Sequence, residues 1–187
     1  MKAELAKRWV KHEGDVFTRE GRKFLRSLHI DAVSDHLDTI EFLDRKIGEL
    51  DVKVKVIAEQ DKYAKLLATI PGVSHYSALL ISSEIADVNR FADHEHLCSY
   101  AGLVPGLRQS ADKSHSTRSR TRSAMLNWIM VQCTRVHVRW CDSAVTRFYN
   151  DLAKRRGEKV AIVAAARKLM RAMYIMLKEE KPFRLDG

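Results

Sequence analysis

Residues 66–110, LLATIPGVSHYSALLISSEIADVNRFADHEHLCSYAGLVPGLRQS, are the stretch around which this chain is organised. Proline disfavours the helical conformation in the residue before it, so a helix should end at Ile70, and Pro71-Gly72 supplies a turn. Apolar residues then recur at helical spacing from Val73 to Ile85. The stretch predicts two helices joined by a Pro-Gly turn, the outline of a helix-hairpin-helix element.

The turn is a candidate contact with nucleic acid. Backbone N–H groups at the start of a helix can hold a phosphate without reading bases, which makes Gly72, Val73 and Ser74 candidate binding residues. Ser74 stands where the usual motif has a second glycine, the residue that permits closest approach. The alternative is that the segment is only a tight interhelical turn.

The segment from Ala101 to Gly106 cannot form a regular helix, and we interpret it as a connector that leads to a basic loop. Between Arg108 and Arg122 there are five basic residues and one acid, with serines interleaved. This composition is typical of a flexible loop that grips phosphates. The candidate nucleic-acid contacts in it are Arg108, Gln109, Lys113, Arg118, Arg120 and Arg122.

The charge of the chain is unevenly distributed. The formal charge is +9, but residues 30–61 hold nine acids and four bases, whereas residues 108–187 hold eighteen bases and seven acids. A polyanionic partner is therefore expected at the C-terminal part of the chain. The acidic stretch has the wrong sign to lie along a phosphate backbone.

Upstream of the turn, the pattern predicts one long helix from residue 30. Its apolar residues follow one another at spacings of three and four, close to a coiled-coil seam, with one short step at Leu43. The seam either pairs with the C-terminal helix of the same chain or makes a homo-oligomer. The apolar positions are Ile30, Val33, Leu37, Ile40, Leu43, Ile47, Leu50, Val54 and Ile57.

Downstream of the basic loop, three further helices are predicted, from about Ser123 to Trp140, then through Leu152, and from Glu158 to Glu180. No strand-like alternation is evident, so the predicted class is all-α. The expected domains are 1–29, short helices; 30–65, the long linker helix; and 66–187, a compact helical domain. Trp9, Trp128 and Trp140 are interpreted as core or interface anchors.

The three cysteines, Cys98, Cys133 and Cys141, have no CxxC spacing, and no metal site is predicted. Cys133 and Cys141 are about 12 Å apart along a helix, too far to share a zinc ion. A reducing cytoplasm is expected for the protein, and no stretch is apolar and long enough for a signal peptide or a membrane span.

The order and spacing of several short boxes resemble the C-terminal domain of bacterial and archaeal insertion-sequence transposases of the hundred-and-ten type, which are bridge-RNA-guided recombinases. The resemblance covers about residues 64–180. The boxes are Ile70-Pro71-Gly72-Val73-Ser74, Arg90-Phe91, Tyr100 to Pro105, Gln109-Ser110-Ala111 and Leu126-Asn127-Trp128. Ser74 and Ala111 replace glycines of the family, and Asn127 replaces an arginine.

By this resemblance Ser110 is the nucleophilic serine that attacks a DNA phosphodiester. The resemblance implies DNA as a partner and leaves open whether a guide RNA also binds. In the family, a RuvC-like domain ahead of the linker carries four acids that bind Mg²⁺. The chain begins about where that domain should end, so we expect it to resemble a C-terminal portion, with no cofactor of its own and Mg²⁺ supplied only with the RuvC-like domain.

An alcohol is a weak nucleophile until a base or a metal removes its proton. No base is evident near Ser110, so the chain alone is expected to bind nucleic acid without cleaving it. Two other functions remain open from the sequence: a non-catalytic DNA- or RNA-binding module, and a coiled-coil interaction protein.

Overall fold

The computed structural model describes residues 2–7, 9–10, 14–104, 106–110, 113–117 and 123–185. Its helices are α1 (Lys2–Lys7), α2 (Arg19–Ser27), α3 (Asp31–Gln60), α4 (Lys62–Leu67), α5 (His75–Ile85), α6 (His94–Tyr100), α7 (Ala124–Trp140), α8 (Ala144–Arg156) and α9 (Glu158–Glu179). A 3₁₀ turn spans Val88–Arg90, and two strands are β1 (Gly106–Ser110) and β2 (Lys113–Thr117). The prediction of an all-α protein is confirmed at the level of class.

One element departs from that class. The predicted flexible loop contains an antiparallel hairpin in which Gly106 pairs with Thr117 and Ser110 with Lys113. The residues of these strands are mostly polar, so no alternation of apolar and polar residues marks them. A two-stranded ladder held by backbone hydrogen bonds leaves no such pattern.

The chain divides into two compact units, residues 1–53 and 54–187, and α3 runs through the division. In the first unit, α2 and the beginning of α3 share a small core with Leu5. Its other buried members are Leu25, Ile30, Val33 and Leu37. Arg22 pairs with Asp44 at 2.7 Å, and Arg26 pairs with Asp38 and Glu41, which adds ion pairs between the two helices.

The long helix is shorter than predicted. α3 ends at Gln60, and Asp61 takes extended backbone angles while its side chain accepts a hydrogen bond from the backbone nitrogen of Ala64. An aspartate in this role is an N-cap, which starts a new helix instead of continuing the old one. The prediction that a single helix runs to Ile70 is therefore wrong: a second helix, α4, begins after Asp61.

The second unit is built around α9. This helix buries a face of small and flexible residues against its neighbours: Ala161, Ile162, Ala165, Ala166, Leu169, Met170, Met173, Tyr174, Met176 and Leu177. It packs against α4, α6, α7 and α8. Alanine on this face lets helix backbones approach closely, and the larger side chains fill the remaining space. Among the described residues, no helix combines the length and the apolarity that crossing a membrane requires.

Candidate nucleic-acid interface

The turn between α4 and α5 is held tightly by its own residues. Ile70 and Val73 are buried, and the backbone nitrogen of Val73 donates to the carbonyl of Ile70 at 3.0 Å. Gly72 has a φ of +91°, a conformation that residues with a Cβ rarely adopt. α4 and α5 pack against each other on either side of this turn.

Gly72 also packs directly against α7. A Cβ placed on it would lie 2.7 Å from the backbone nitrogen of His137 and 3.0 Å from the carbonyl oxygen of Cys133. The glycine is thus required by packing within the protein. Whether it also contacts nucleic acid stays a prediction.

His137 fixes the turn from the other side. Its Nδ1 lies 2.7 Å from the carbonyl oxygen of Pro71 and its Nε2 lies 2.8 Å from the hydroxyl of Ser143. A carbonyl can only accept, so Nδ1 carries a proton and donates it to Pro71. Ser143 in turn caps α8 by accepting from the backbone nitrogens of Val145 and Thr146. One buried imidazole therefore joins the turn, α7 and the start of α8.

Ser74 is the N-cap of α5. Its hydroxyl accepts from the backbone nitrogen of Ser77 at 3.2 Å and lies 3.1 Å from the Ser77 hydroxyl. Ser74 thus has a structural role as a helix cap. Ser74 itself is exposed. It lies at the N-terminus of α5, where free backbone N–H groups favour an anion.

A shallow groove runs between this helix start and α7. It is lined by Gly72, Val73, Ser74, Ser77, Gln132, Cys133, Arg135 and Val136. Arg135 is exposed, so a guanidinium borders the groove at the N-terminus of α5. A fixed cation beside a helix N-terminus is favourable for a phosphate oxygen.

The exposed face of α7 carries basic and large apolar side chains that the sequence reasoning did not select. Trp128 is 49% exposed and Trp140 75% exposed, which excludes the core alternative of the prediction and leaves the interface alternative as a prediction. Trp9, 88% exposed, is not a core residue either. The guanidinium of Arg139 lies 5.2 Å from the ring of Trp140. Helical spacing of Trp128, Arg135 and Arg139 could have suggested this common face.

The box that begins at Tyr100 and the box Leu126-Asn127-Trp128 meet at the beginning of α7. Asn127 donates from Nδ2 to the carbonyl oxygens of Ala101 at 2.9 Å and Gly102 at 3.2 Å. Ser123 caps α7, and its backbone nitrogen donates to the carbonyl of Tyr100. The chain therefore leaves this point after Val104 and returns to it at Ser123.

An aromatic and basic cluster lies next to the beginning of α7. The guanidinium of Arg90 lies 4.6 Å from the centre of the Phe91 ring and 4.8 Å from that of Tyr100. The Ser123 hydroxyl donates to Glu84 at 2.7 Å, and Asp87 caps the 3₁₀ turn. The carboxylates of Glu84 and Asp87 therefore both accept hydrogen bonds from within the protein. Within the described part of the chain, no three His, Cys, Asp or Glu side chains are grouped as a metal site would require.

The hairpin that leaves from this point carries the predicted nucleophile. Ser110 is the last residue of β1 and pairs with Lys113, while Gln109 pairs with Ser114 and Arg108 with His115. The structure thus brings Ser110 and Lys113 together in register. Arg118, Arg120 and Arg122 lie outside the described residues. The roles assigned to all of them stay predictions.

Comparison with known proteins identifies relatives. Residues 64–150 match the family model described as "Transposase IS116/IS110/IS902 family". A transposase of the insertion sequence element IS1111A from Coxiella burnetii is 26% identical over 145 residues, which cover 75% of this chain and 40% of that protein. A pilin gene-inverting protein from Moraxella bovis is 28% identical over 169 residues, covering 86% of this chain and 50% of its own length.

A probable family 20 transposase from Pseudomonas aeruginosa is 24% identical, covering 79% of this chain and 45% of that protein. The chain thus spans about half the length, or less, of these relatives. The matches confirm the resemblance to this group of transposases.

Proposed function

Because residues 64–150 match the IS116/IS110/IS902 transposase family, we propose that the chain is a DNA-binding part of a transposase or recombinase. In this role it supplies Ser110 as a nucleophile to a composite active site. The acids and Mg²⁺ of a RuvC-like domain complete that site, and the linker helix α3 holds the assembly together as a homo-oligomer. A guide RNA is a further partner that the family resemblance leaves open.

The observation that carries the DNA-binding part is the position of Arg135 beside the N-terminus of α5. The groove there is bordered by exposed Ser74 and by Arg135. Arg139, one turn further along α7, lies beside the exposed ring of Trp140. Cations and helix N-termini hold phosphates, and an exposed indole can stack on an unpaired base. This arrangement supports contact with a nucleic-acid backbone and gives no reason for recognition of a particular sequence.

Binding to duplex DNA across a series of salt concentrations tests this proposal. Each phosphate contact should contribute about 0.9 to the slope of log affinity against log salt. Arg135→Gln and Arg139→Gln should each reduce that slope by about 1. Arg45→Gln is the matched control, because Arg45 is exposed on the acidic helix α3, which should not touch phosphate. A slope near zero for the unchanged chain would contradict the proposal.

The nucleophile requires a separate test with a RuvC-like domain joined to the chain or mixed with it. Ser110→Ala should leave DNA binding intact and abolish strand exchange, because no other group then forms the covalent bond to phosphorus. Ser116→Ala, on the partner strand of the same hairpin, is the control and should retain activity. Strand exchange that survives Ser110→Ala would exclude the serine, whereas binding alone would remain as the function of a non-catalytic module.

A further inference from the structure

An apolar pocket of about 390 Å³ lies in the second unit, between α9, the start of α8 and the tail that follows α9. Pockets of this size that are mostly apolar and hold a few polar groups are typical of small-molecule sites. We call it the α9 pocket. It shares no lining residue with the groove beside Arg135. Its larger apolar side chains are Val145, Ile175, Met176, Phe183 and Leu185.

The tail that forms one wall of the α9 pocket is held in place by the rest of the unit. Glu180 adopts a left-handed φ of +56°, which turns the chain back at the end of α9. The backbone nitrogen of Lys181 then donates to a carbonyl of α9 at 3.1 Å. Phe183 donates from its backbone nitrogen to Oγ1 of Thr69 at 3.0 Å, and its ring lies 5.7 Å from the imidazole of His137. The wall is therefore formed before any ligand binds.

Basic residues border the α9 pocket. Glu179 is the one acid among the described residues that line it, and it pairs with Lys181 at 3.0 Å. Lys168 donates to the carbonyl oxygen of Ala144 at 3.0 Å. The pocket thus combines an apolar interior with a net positive border. The basic lining residues are Lys168, Arg171, Lys181 and Arg184.

Arg171 and Arg184 are the two cations that remain for a ligand. Both are exposed, and within the part of the chain that the structure describes neither forms an ion pair with a carboxylate. A guanidinium presents its N–H donors in a planar fork that matches a carboxylate. Next to an apolar wall, such a cation is complementary to a molecule that joins an apolar body to an anionic group. A cationic ligand would leave the charge unmatched, and a purely polar one would leave the apolar wall unmatched.

We propose that the α9 pocket binds a small amphipathic carboxylate, a molecule with an aromatic or aliphatic body and one carboxylate group. The body lies against Val145, Ile175 and Met176, and Arg171 and Arg184 provide the cations for the carboxylate. This site goes beyond the proposed function, because none of its residues belongs to the groove, to the hairpin or to α3. Binding of the acid and binding of DNA can therefore fail separately.

Three probes that share one apolar body and differ in head group test the charge preference. The probes are 4-phenylbutyrate, 4-phenylbutanol and 4-phenylbutylamine. Titration calorimetry with the full chain should show 4-phenylbutyrate binding at least about tenfold more tightly than the alcohol, because hydrogen bonds between charged groups are the stronger ones. The amine should bind more weakly than the alcohol. Equal affinities for the three probes, or no binding of 4-phenylbutyrate at millimolar concentration, would overturn the proposal.

Arginine variants test the assignment of the cations. Arg171→Gln and Arg184→Gln should each weaken the binding of 4-phenylbutyrate about tenfold and leave the binding of the alcohol unchanged. Arg156→Gln is the matched control, because Arg156 is exposed at the end of α8 and does not line the pocket. If neither pocket variant weakens the binding of the acid, the carboxylate is not bound here and the proposal is wrong.

The apolar wall is tested with a matched pair of glutamate variants on α9. Ile175 is 43% exposed and lines the pocket, whereas Val163 is 39% exposed and does not. Ile175→Glu should weaken the binding of 4-phenylbutyrate at least about tenfold, because it removes an apolar contact and adds a like charge. Val163→Glu should have no effect on that binding. Circular dichroism shows that both variants fold, and equal affinities of the two folded variants would contradict the proposal.

Methionine methyl signals locate the bound acid by nuclear magnetic resonance. With ¹³C-methyl methionine, 4-phenylbutyrate should shift the signal of Met176 and leave that of Met125, which is 48% exposed on α7, in place. Shifts at Met125 without shifts at Met176 would place the acid elsewhere and refute the site. Duplex DNA added to the complex should not displace the acid. Displacement would assign the pocket to nucleic acid instead, whereas a chain that binds the acid and not DNA would refute the proposed function alone.

Discussion

The imidazole of His137 donates from Nδ1 to the carbonyl of Pro71 at 2.7 Å. The same stretch of α7 backbone is where a Cβ on the neighbouring Gly72 would collide. The turn between α4 and α5 is therefore fixed to α7 by a hydrogen bond and by close backbone packing at adjacent residues. This junction therefore determines the shape of the groove beside Arg135.

Gly72→Ala should destabilise the protein strongly. The substitution imposes a φ of +91° on a residue with a Cβ and places that Cβ 2.7 Å from a backbone nitrogen, so α7 has to move. We expect a loss of at least about 2 kcal/mol in the free energy of unfolding, measured in urea.

Gly48→Ala is the control for that experiment. Gly48 lies within α3, and nothing lies within 4 Å of a Cβ placed on it. Replacing a glycine inside a helix by alanine should stabilise α3 by about 1 kcal/mol. Equal effects of the two changes would contradict the packing role of Gly72.

His137→Phe should also destabilise the second unit, through lost hydrogen bonds. The ring of phenylalanine has a similar shape, but it leaves the carbonyl of Pro71 without its donor and removes the partner of the Ser143 hydroxyl. We expect a loss of about 2–4 kcal/mol in urea unfolding. The double change His137→Phe with Ser143→Ala should cost less than the sum of the two single changes, because the two residues share one bond. Additive costs would show that the bond contributes nothing.

Sequence reasoning predicted those features of the fold that local chemistry determines. Ser123 was predicted as the approximate start of a helix, and in the structure its side chain caps α7. Pro71-Gly72 was identified as the turn. In each case the residue acts on backbone groups within a few positions, so its effect can be read without knowing the tertiary structure.

The break at Asp61 was missed because its cause is partly distant. Oδ1 of Asp61 accepts from the backbone nitrogen of Ala64 at 2.6 Å and from the hydroxyl of Ser82 at 2.7 Å. Ser82 lies on α5, beyond the turn, and apolar periodicity continues through position 61. The sequence left core and interface positions open for Trp128 and Trp140, because a tryptophan in a helical pattern is compatible with either, and only packing decides.

The three cysteines should react at very different rates. Burial, with a smaller contribution from the charge of Glu95, raises the pKa of the Cys98 thiol to about 11, and burial also raises the pKa of Cys133. Only the thiolate is nucleophilic. At pH 8, a thiol reagent should modify Cys141 in the native protein and all three cysteines in denaturant.

The same pKa shift makes stability depend on pH in alkaline solution. The folded protein keeps the Cys98 proton up to about pH 11, whereas an unfolded chain loses it near pH 9, the ordinary value. The unfolded state therefore binds fewer protons in this range, and the free energy of unfolding should fall as the pH rises from 9 to 11. Cys98→Ala should make the free energy of unfolding depend less on pH between 9 and 11. If the slope of that dependence does not change, other titrating groups cause the loss of stability.

By the family resemblance, an arginine is expected at the position of Asn127, and the contacts of the asparagine show what it does here. Its amide donates to the carbonyls of Ala101 and Gly102, and so holds the point from which the hairpin leaves and to which it returns. Asn127→Leu removes both donors from a partly buried site and should lower the free energy of unfolding by about 1–3 kcal/mol. Because the hairpin with Ser110 is attached at this point, the same change should also speed amide hydrogen exchange in residues 101–104, measured by mass spectrometry.

Asn127→Arg distinguishes a structural role of this position from a role in binding phosphate. A guanidinium also carries N–H donors, so it can bond the same carbonyls, and it adds a cation at the point where the hairpin with Ser110 is attached. If the position serves only to hold the Tyr100–Leu103 segment, the arginine variant should match the original in stability and hydrogen exchange, and DNA affinity should change little. If the family arginine acts on phosphate, the variant should bind DNA more tightly with a steeper salt dependence, whereas Asn127→Leu should not. Tighter DNA binding by both variants would exclude both explanations.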